Sequence, residues 1–160
     1  MTSPSHTIMP TTIRPINPDE YHECEHILRG LPDWFGIEEA LVNYVNDIKV
    51  MQTWVARRGD TVAGFLTLNR HNAHSAEIHV MAVAQAYHGQ GYGRQLIEFA
   101  QQVLQREHFD FLQVKTLATT SPDPHYARTR GFYEHLGFKP LEENLLWGKA
   151  NPCLIMVKHL

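Results

Sequence analysis

Glu77 to Leu104 reads EIHVMAVAQAYHGQGYGRQLIEFAQQVL, and the fold is decided there. Ile78, Val80, Ala82 and Ala84 alternate with Glu77, His79, Met81 and Val83, the two-residue period of a strand with two distinct faces. Gly89, Gly91 and Gly93 follow at every second position. Leu96, Ile97, Ala100, Val103 and Leu104 then fall on one stripe of a helix. The unit is a strand, a glycine-rich turn and a helix. Glycines allow consecutive backbone N–H groups to converge, because no Cβ blocks the approach. A helix starting near Tyr92 adds unpaired N–H groups and the positive end of its dipole, and Arg94 adds a full charge. His88, Gly89, Gln90, Gly91, Tyr92, Gly93 and Arg94 are therefore expected to form an anion site suited to a phosphate or diphosphate.

Two familiar phosphate motifs do not fit. A P-loop needs Gly-Lys-Ser/Thr, whereas Gly93 is followed by Arg94-Gln95; the dinucleotide fingerprint needs a glycine where Arg94 stands. The remaining pattern, Gly-x-Gly-x-Gly closing a strand, resembles the acetyl-CoA loop of the GNAT superfamily of N-acetyltransferases. Its usual leading Arg or Gln is replaced by His88. A second motif, Phe132-Tyr133-Glu134-His135-Leu136-Gly137-Phe138, resembles the helix ending of the same superfamily, following the same kind of strand. The Asn that often starts that helix is replaced by Tyr126.

The rest of the chain is consistent with that order. A strand over Thr12 to Ile16 precedes a helix ending at Gly30, and a second helix runs over Ile37 to Ile48. Met51 to Arg57 and Val62 to Leu68 read as a hairpin turning at Gly59-Asp60. Phe109 to Ala118 reads as a strand, and the tail as a closing strand pair. The expected architecture is α/β, a mixed central sheet of about seven strands flanked by helices, as in the GNAT acyl-CoA N-acyltransferase fold. One domain is expected over residues 12–160, after a lead-in over residues 1–11.

Composition sets the outer bounds. The chain has 160 residues, 43% of them hydrophobic, enough for a single core. A net charge of -3 gives no electrostatic case for nucleic acid or a membrane surface, and no run is apolar enough to span a bilayer. Cys24 and Cys153 lie far apart, which fits a reducing, cytoplasmic setting rather than a disulfide scaffold. The first residues are rich in Ser, Thr and Pro and lack the apolar segment of a signal peptide.

The resemblance implies chemistry as well as fold. Acetyl-CoA would be the co-substrate, its pantetheine arm running along Met81, Ala82 and Val83. The N–H of Met81 or of a neighbour would face the thioester oxygen as an oxyanion donor. Tyr133 matches the tyrosine that gives a proton to the leaving thiolate. Glu77 matches the general base of some members. Four residues along a strand cover about 13 Å, so Glu77 would work through water unless a bulge shortens the path. His79, on the same face and nearer, is the second candidate. Trp34 and Phe35, between Pro32 and Gly36, read as core filling or as a substrate-pocket wall beside His79. The acceptor would be a small-molecule or peptide amine, and the closing strands are compatible with a homodimer.

Two other readings stand beside this one. A non-catalytic acyl-CoA-binding or regulatory module would keep the glycine turn without the chemistry. His22-Glu23-Cys24-Glu25-His26 spells the zinc-hydrolase pattern, although a charged Glu25 and a short polar helix favour a solvated face, and no metal is expected. His71 and His74 read as surface residues. No cysteine stands near the expected site, which favours direct transfer over an acetyl-enzyme.

Overall fold

The computed structural model describes residues 11–160. Residues 1–10 of the expected lead-in lie outside the described residues, while Thr11 already belongs to the first strand. The chain runs β1 (Thr11–Pro15), a 3-10 turn (Pro18–Glu20), α1 (Tyr21–Arg29), α2 (Pro32–Phe35) and α3 (Glu38–Val50). Then come β2 (Gln52–Arg58), β3 (Thr61–Arg70), β4 (Ser75–Val83), α4 (Tyr92–Arg106) and β5 (Phe111–Leu117). It closes with α5 (Pro124–His135), β6 (Lys139–Asn144) and β7 (Cys153–His159).

The seven strands form one mixed sheet in the order β1-β2-β3-β4-β5-β7-β6. All neighbours are antiparallel except β4 and β5, which are joined through α4 as a parallel crossover. The hairpin of β2 and β3 turns at Gly59-Asp60 as expected, with Arg58 opposite Thr61. Pro32 to Phe35, which the sequence suggests is a stiff loop, is a single helical turn opened by Pro32 at its first position.

Each face of the sheet carries half of the core. On one face α4 and α5 bury Leu96, Ile97, Ala100 and Tyr133 against Ile78, Leu112 and Val114. On the other, α1 and α3 bury Leu28, Leu41 and Val45 against Phe65, Val80 and Ala82.

That division corrects the simple alternation expected for β4. Thr67 pairs with Val80 and Leu68 with Ile78, so His79 is an extra residue on β4, a bulge. The extra residue switches the faces. Ile78 packs on the α4 side, yet Val80 and Ala82 pack on the α3 side, and Met81 and Val83 return to the α4 side. Glu77 and His79 do not share a face with Met81.

Candidate active site

The glycine turn is built as a cradle. Gly89 (φ 73°) and Gly91 (φ 89°) both take left-handed backbone, which residues with a Cβ rarely adopt. Gly93 lies against α5: a Cβ there would stand 3.2 Å from the Phe132 ring. Among the described residues, the amides from Gly89 through Arg94 donate no hydrogen bond within the protein; the first to do so is Gln95, to Gly91 at 3.0 Å. Six consecutive N–H groups at a helix start are thus available to an anion. The Arg94 guanidinium meets Glu98 through Nε at 2.8 Å, and among the described residues its terminal nitrogens have no partner.

His88 does not belong to this cradle as expected. Its amide donates to Gln85 at 3.2 Å, and its Nε2–H donates to the Val83 carbonyl at 2.7 Å. The imidazole ties the turn back to the end of β4 instead of reaching outward.

Beside the cradle the sheet opens. β4 and β5 pair only from Ser75–Phe111 to Ile78–Val114. Beyond that point β4 keeps its partner β3 through Val83, and β5 keeps β7 through Leu117. The facing edges of Met81, Ala82 and Val83 and of Lys115 to Leu117 therefore carry main-chain groups that no strand satisfies, a platform for a ligand with peptide-like amides. The Val83 carbonyl is taken by His88, and the Leu117 carbonyl accepts from Arg130 at 2.7 Å.

A cavity of about 740 Å³ occupies this opening. It is walled by Ile78, Met81, Val114 and Tyr133 from the α4 side and by Leu41, Tyr44, Val80 and Trp34 from the α3 side. The cavity therefore passes through the sheet, and two molecules entering from opposite faces can meet in it.

Tyr133 is 6% exposed, and its hydroxyl makes no hydrogen bond within the described protein. Burial pushes its pKa well above that of a free phenol, so the group keeps its proton until an acceptor arrives. Trp34 and Phe35 both line the cavity. Trp34 is fixed from both ends: its Nε1–H donates to Thr129 Oγ1 at 3.1 Å, and Tyr126 donates its hydroxyl to the Trp34 carbonyl at 2.9 Å. Tyr126 thus ties α2 to α5, and burial raises its pKa to about 12.

Glu77 is where the structure departs furthest from the expected base. It is 5% exposed and does not reach the cavity wall. Both oxygens accept from Lys115 Nζ, at 2.7 and 2.8 Å, and Oε1 also meets His71 Nε2 at 2.6 Å. A carboxylate with both oxygens engaged by a cation is poorly placed to bind a water for proton abstraction. His71 is exposed, as expected, and is also the outer partner of this cluster. His79, in contrast, lines the cavity.

Several wall residues carry no signal that sequence reasoning used. Lys115 and Thr116 line the cavity from β5, and Thr116 Oγ1 is buried without a partner among the described residues. Leu146 and Trp147, in the loop between β6 and β7, line it as well. Two exposed apolar side chains in a loop punctuated by Gly148 were the clue available. In α1 His22 and His26 of the zinc-hydrolase pattern are exposed, and among the described residues no group of three or more potential metal-ligating side chains forms.

Comparison with known proteins gives a consistent picture. Residues 50–140 match the family model of the acetyltransferase (GNAT) domain. No curated protein matches the chain by sequence. Among solved structures, a GNAT-family protein from Desulfovibrio desulfuricans superposes with a TM-score of 0.83 at 16% identity, over 94% of this chain and 99% of that one. The ribosomal-protein-S18-alanine N-acetyltransferase of Escherichia coli superposes with a TM-score of 0.76 at 17% identity, over 94% of each chain. The PaiA N-acetyltransferase of Thermoplasma acidophilum, crystallised with coenzyme A, gives 0.76 at 17% identity, over 95% of this chain and 100% of that one. At such identities the likeness to these structures concerns the backbone.

Proposed function

Because this chain belongs to the GNAT acetyltransferase family, we propose that it moves the acetyl group of acetyl-CoA to a primary amine by direct attack in a ternary complex. The observation that carries this reading is the run of six amides, Gly89 to Arg94, that donate no hydrogen bond among the described residues and follow β4, whose Met81 lines the cavity in the opened sheet.

Acetyl-CoA supplies the acetyl group activated as a thioester. The amides of Gly89, Gln90, Gly91, Tyr92, Gly93 and Arg94 hold its diphosphate, with the free end of the Arg94 guanidinium adding charge. The edge of Met81, Ala82 and Val83 offers main-chain partners to the pantetheine amides, and an N–H there is the oxyanion donor. Tyr133 gives its proton to the departing sulfur; its unpaired hydroxyl on the cavity wall supports that role. The acceptor enters from the α3 side, between Trp34, Phe35 and His79. Direct transfer is supported by the cysteines: both are buried, neither lines the cavity, and burial pushes the Cys24 thiol up to about 12.

The acceptor is a small-molecule or peptide amine. Calorimetric titration with coenzyme A, paired with thiol release from acetyl-CoA over a panel of amines, tests the reading. Binding in the micromolar range with transfer to at least one amine is expected. Tight binding with no transfer would move the protein to a non-catalytic acyl-CoA-binding module, and no binding at all would remove the coenzyme from the account.

A further inference from the structure

The bulge in β4 has placed one side chain where regular pairing would not. As the extra residue, His79 turns to the same side as the following Val80, facing α3. There α3 presents Ala40, Tyr44 and Asp47 on one stripe. Asp47 Oδ2 lies 2.7 Å from His79 Nε2, and the Tyr44 ring meets the imidazole edge to face at 5.7 Å. The ring is therefore held on two sides. Since a carboxylate only accepts, Nε2 carries a proton, and in the neutral ring Nδ1 carries the lone pair. Among the described residues, Nδ1 has no hydrogen-bond partner, and His79 lines the cavity.

We infer that His79, not Glu77, is the general base for the acceptor amine, and that Asp47 is the positioning residue that fixes its tautomer. The inference rests on the acetyl-transfer reading above. The acceptor ammonium gives one proton to His79 Nδ1, and the resulting imidazolium is stabilised by Asp47. The neutral amine then forms a C–N bond to the acetyl carbon, the C–S bond breaks and the electron pair leaves on sulfur. Tyr133 protonates the sulfur and is reprotonated, by way of solvent, by the second amine proton, while the proton on His79 passes to solvent. Asp47 and Tyr44 from α3 contact His79, and the other charged and titratable groups that share the cavity wall with it are Glu39 at the start of α3, Lys115 from β5, and Tyr126 and Tyr133 from α5.

Two measurements test the inference separately from the function. In ¹⁵N histidine spectra of the protein without ligand, His79 is expected as the Nε2–H tautomer. Asp47→Ala should mix the tautomers, and Asp47→Asn, which still accepts from Nε2, should restore the single form. An Nδ1–H tautomer in the unmodified protein would overturn the pairing. With the best amine of the panel, His79→Ala should lower kcat by about 100-fold with the KM for acetyl-CoA unchanged, and abolish the acidic limb of the kcat/KM–pH profile. Asp47→Ala should lower kcat by about 10-fold and move that limb, while Asp47→Asn moves the limb without altering the tautomer. A His79→Ala variant with the original profile overturns the assignment. A panel in which nothing is acetylated, despite coenzyme A binding, overturns the catalytic reading and the base with it, but leaves the tautomer result standing.

Discussion

Glu77 and His79 sit two residues apart on β4, each bonded to a charged partner from another element, and they have opposite fates. Glu77 is buried where β4 and β5 still pair, and Lys115 and His71 consume its oxygens. His79 lies at the bulge where the sheet parts, one nitrogen fixed by Asp47 and the other unengaged. The first arrangement holds the sheet closed up to the opening. The second leaves chemical capacity at the opening itself. A group saturated by the protein serves structure; one fixed through a single atom can still act on a ligand.

The largest effect that would break this contrast is on stability. Removing Glu77 leaves the Lys115 ammonium, 22% exposed, without its counter-charge. Glu77→Ala should cost about 2–4 kcal/mol, or about 5–15 °C in Tm, and Lys115→Met in the same chain should recover part of it. His79→Ala, by contrast, should leave Tm nearly unchanged. Equal losses from both would erase the distinction.

Next is Tyr133→Phe, which removes a hydroxyl that the protein does not use. It should lower turnover by about 10–100-fold while Tm and acetyl-CoA affinity stay the same. Unchanged single-turnover transfer across the pH range would remove Tyr133 from the mechanism.

A smaller effect is expected in the cradle. At Gly91, φ 89° disfavours a β-branched residue, so Gly91→Val should weaken coenzyme A binding by about 10-fold without loss of fold, measured by calorimetry.

The smallest concerns a second saturated carboxylate. Burial alone would raise the pKa of Glu20, but hydrogen bonds from Arg14, the Asn17 amide and Arg57 outweigh it and leave the value lowered. A lowered folded-state pKa means that the stabilisation is present above the unfolded value, about 4.3, and is lost as pH falls through the folded one. The Tm gap between the unmodified protein and Glu20→Gln should therefore narrow below about pH 4, by a few degrees. A gap that widens in acid would reverse the assignment.

The contrast also marks what the linear sequence discloses. Strand, glycine turn and helix are local patterns, and each was readable because neighbours along the chain define it. The bulge was not, because it depends on how Thr67 and Leu68 meet β4. Reading β4 as regular puts Glu77 in line with Met81, and the family resemblance makes it the leading base. The partners that decide each role are distant in sequence, Lys115 for Glu77 and Asp47 for His79, and arrive only through packing. His88 looked outward-facing because the motif places a basic or polar residue there. The fold bends its ring back onto Val83. The tail was readable as two strands, but not the presence of its connecting loop at the cavity.

The central claim is that the amides of Gly89 to Arg94 grip the diphosphate of acetyl-CoA. Backbone ¹⁵N–¹H spectra recorded during titration with coenzyme A test it directly. These six amides should show the largest shifts and gain protection from hydrogen exchange at saturation. Saturable binding that leaves all six unmoved would contradict it.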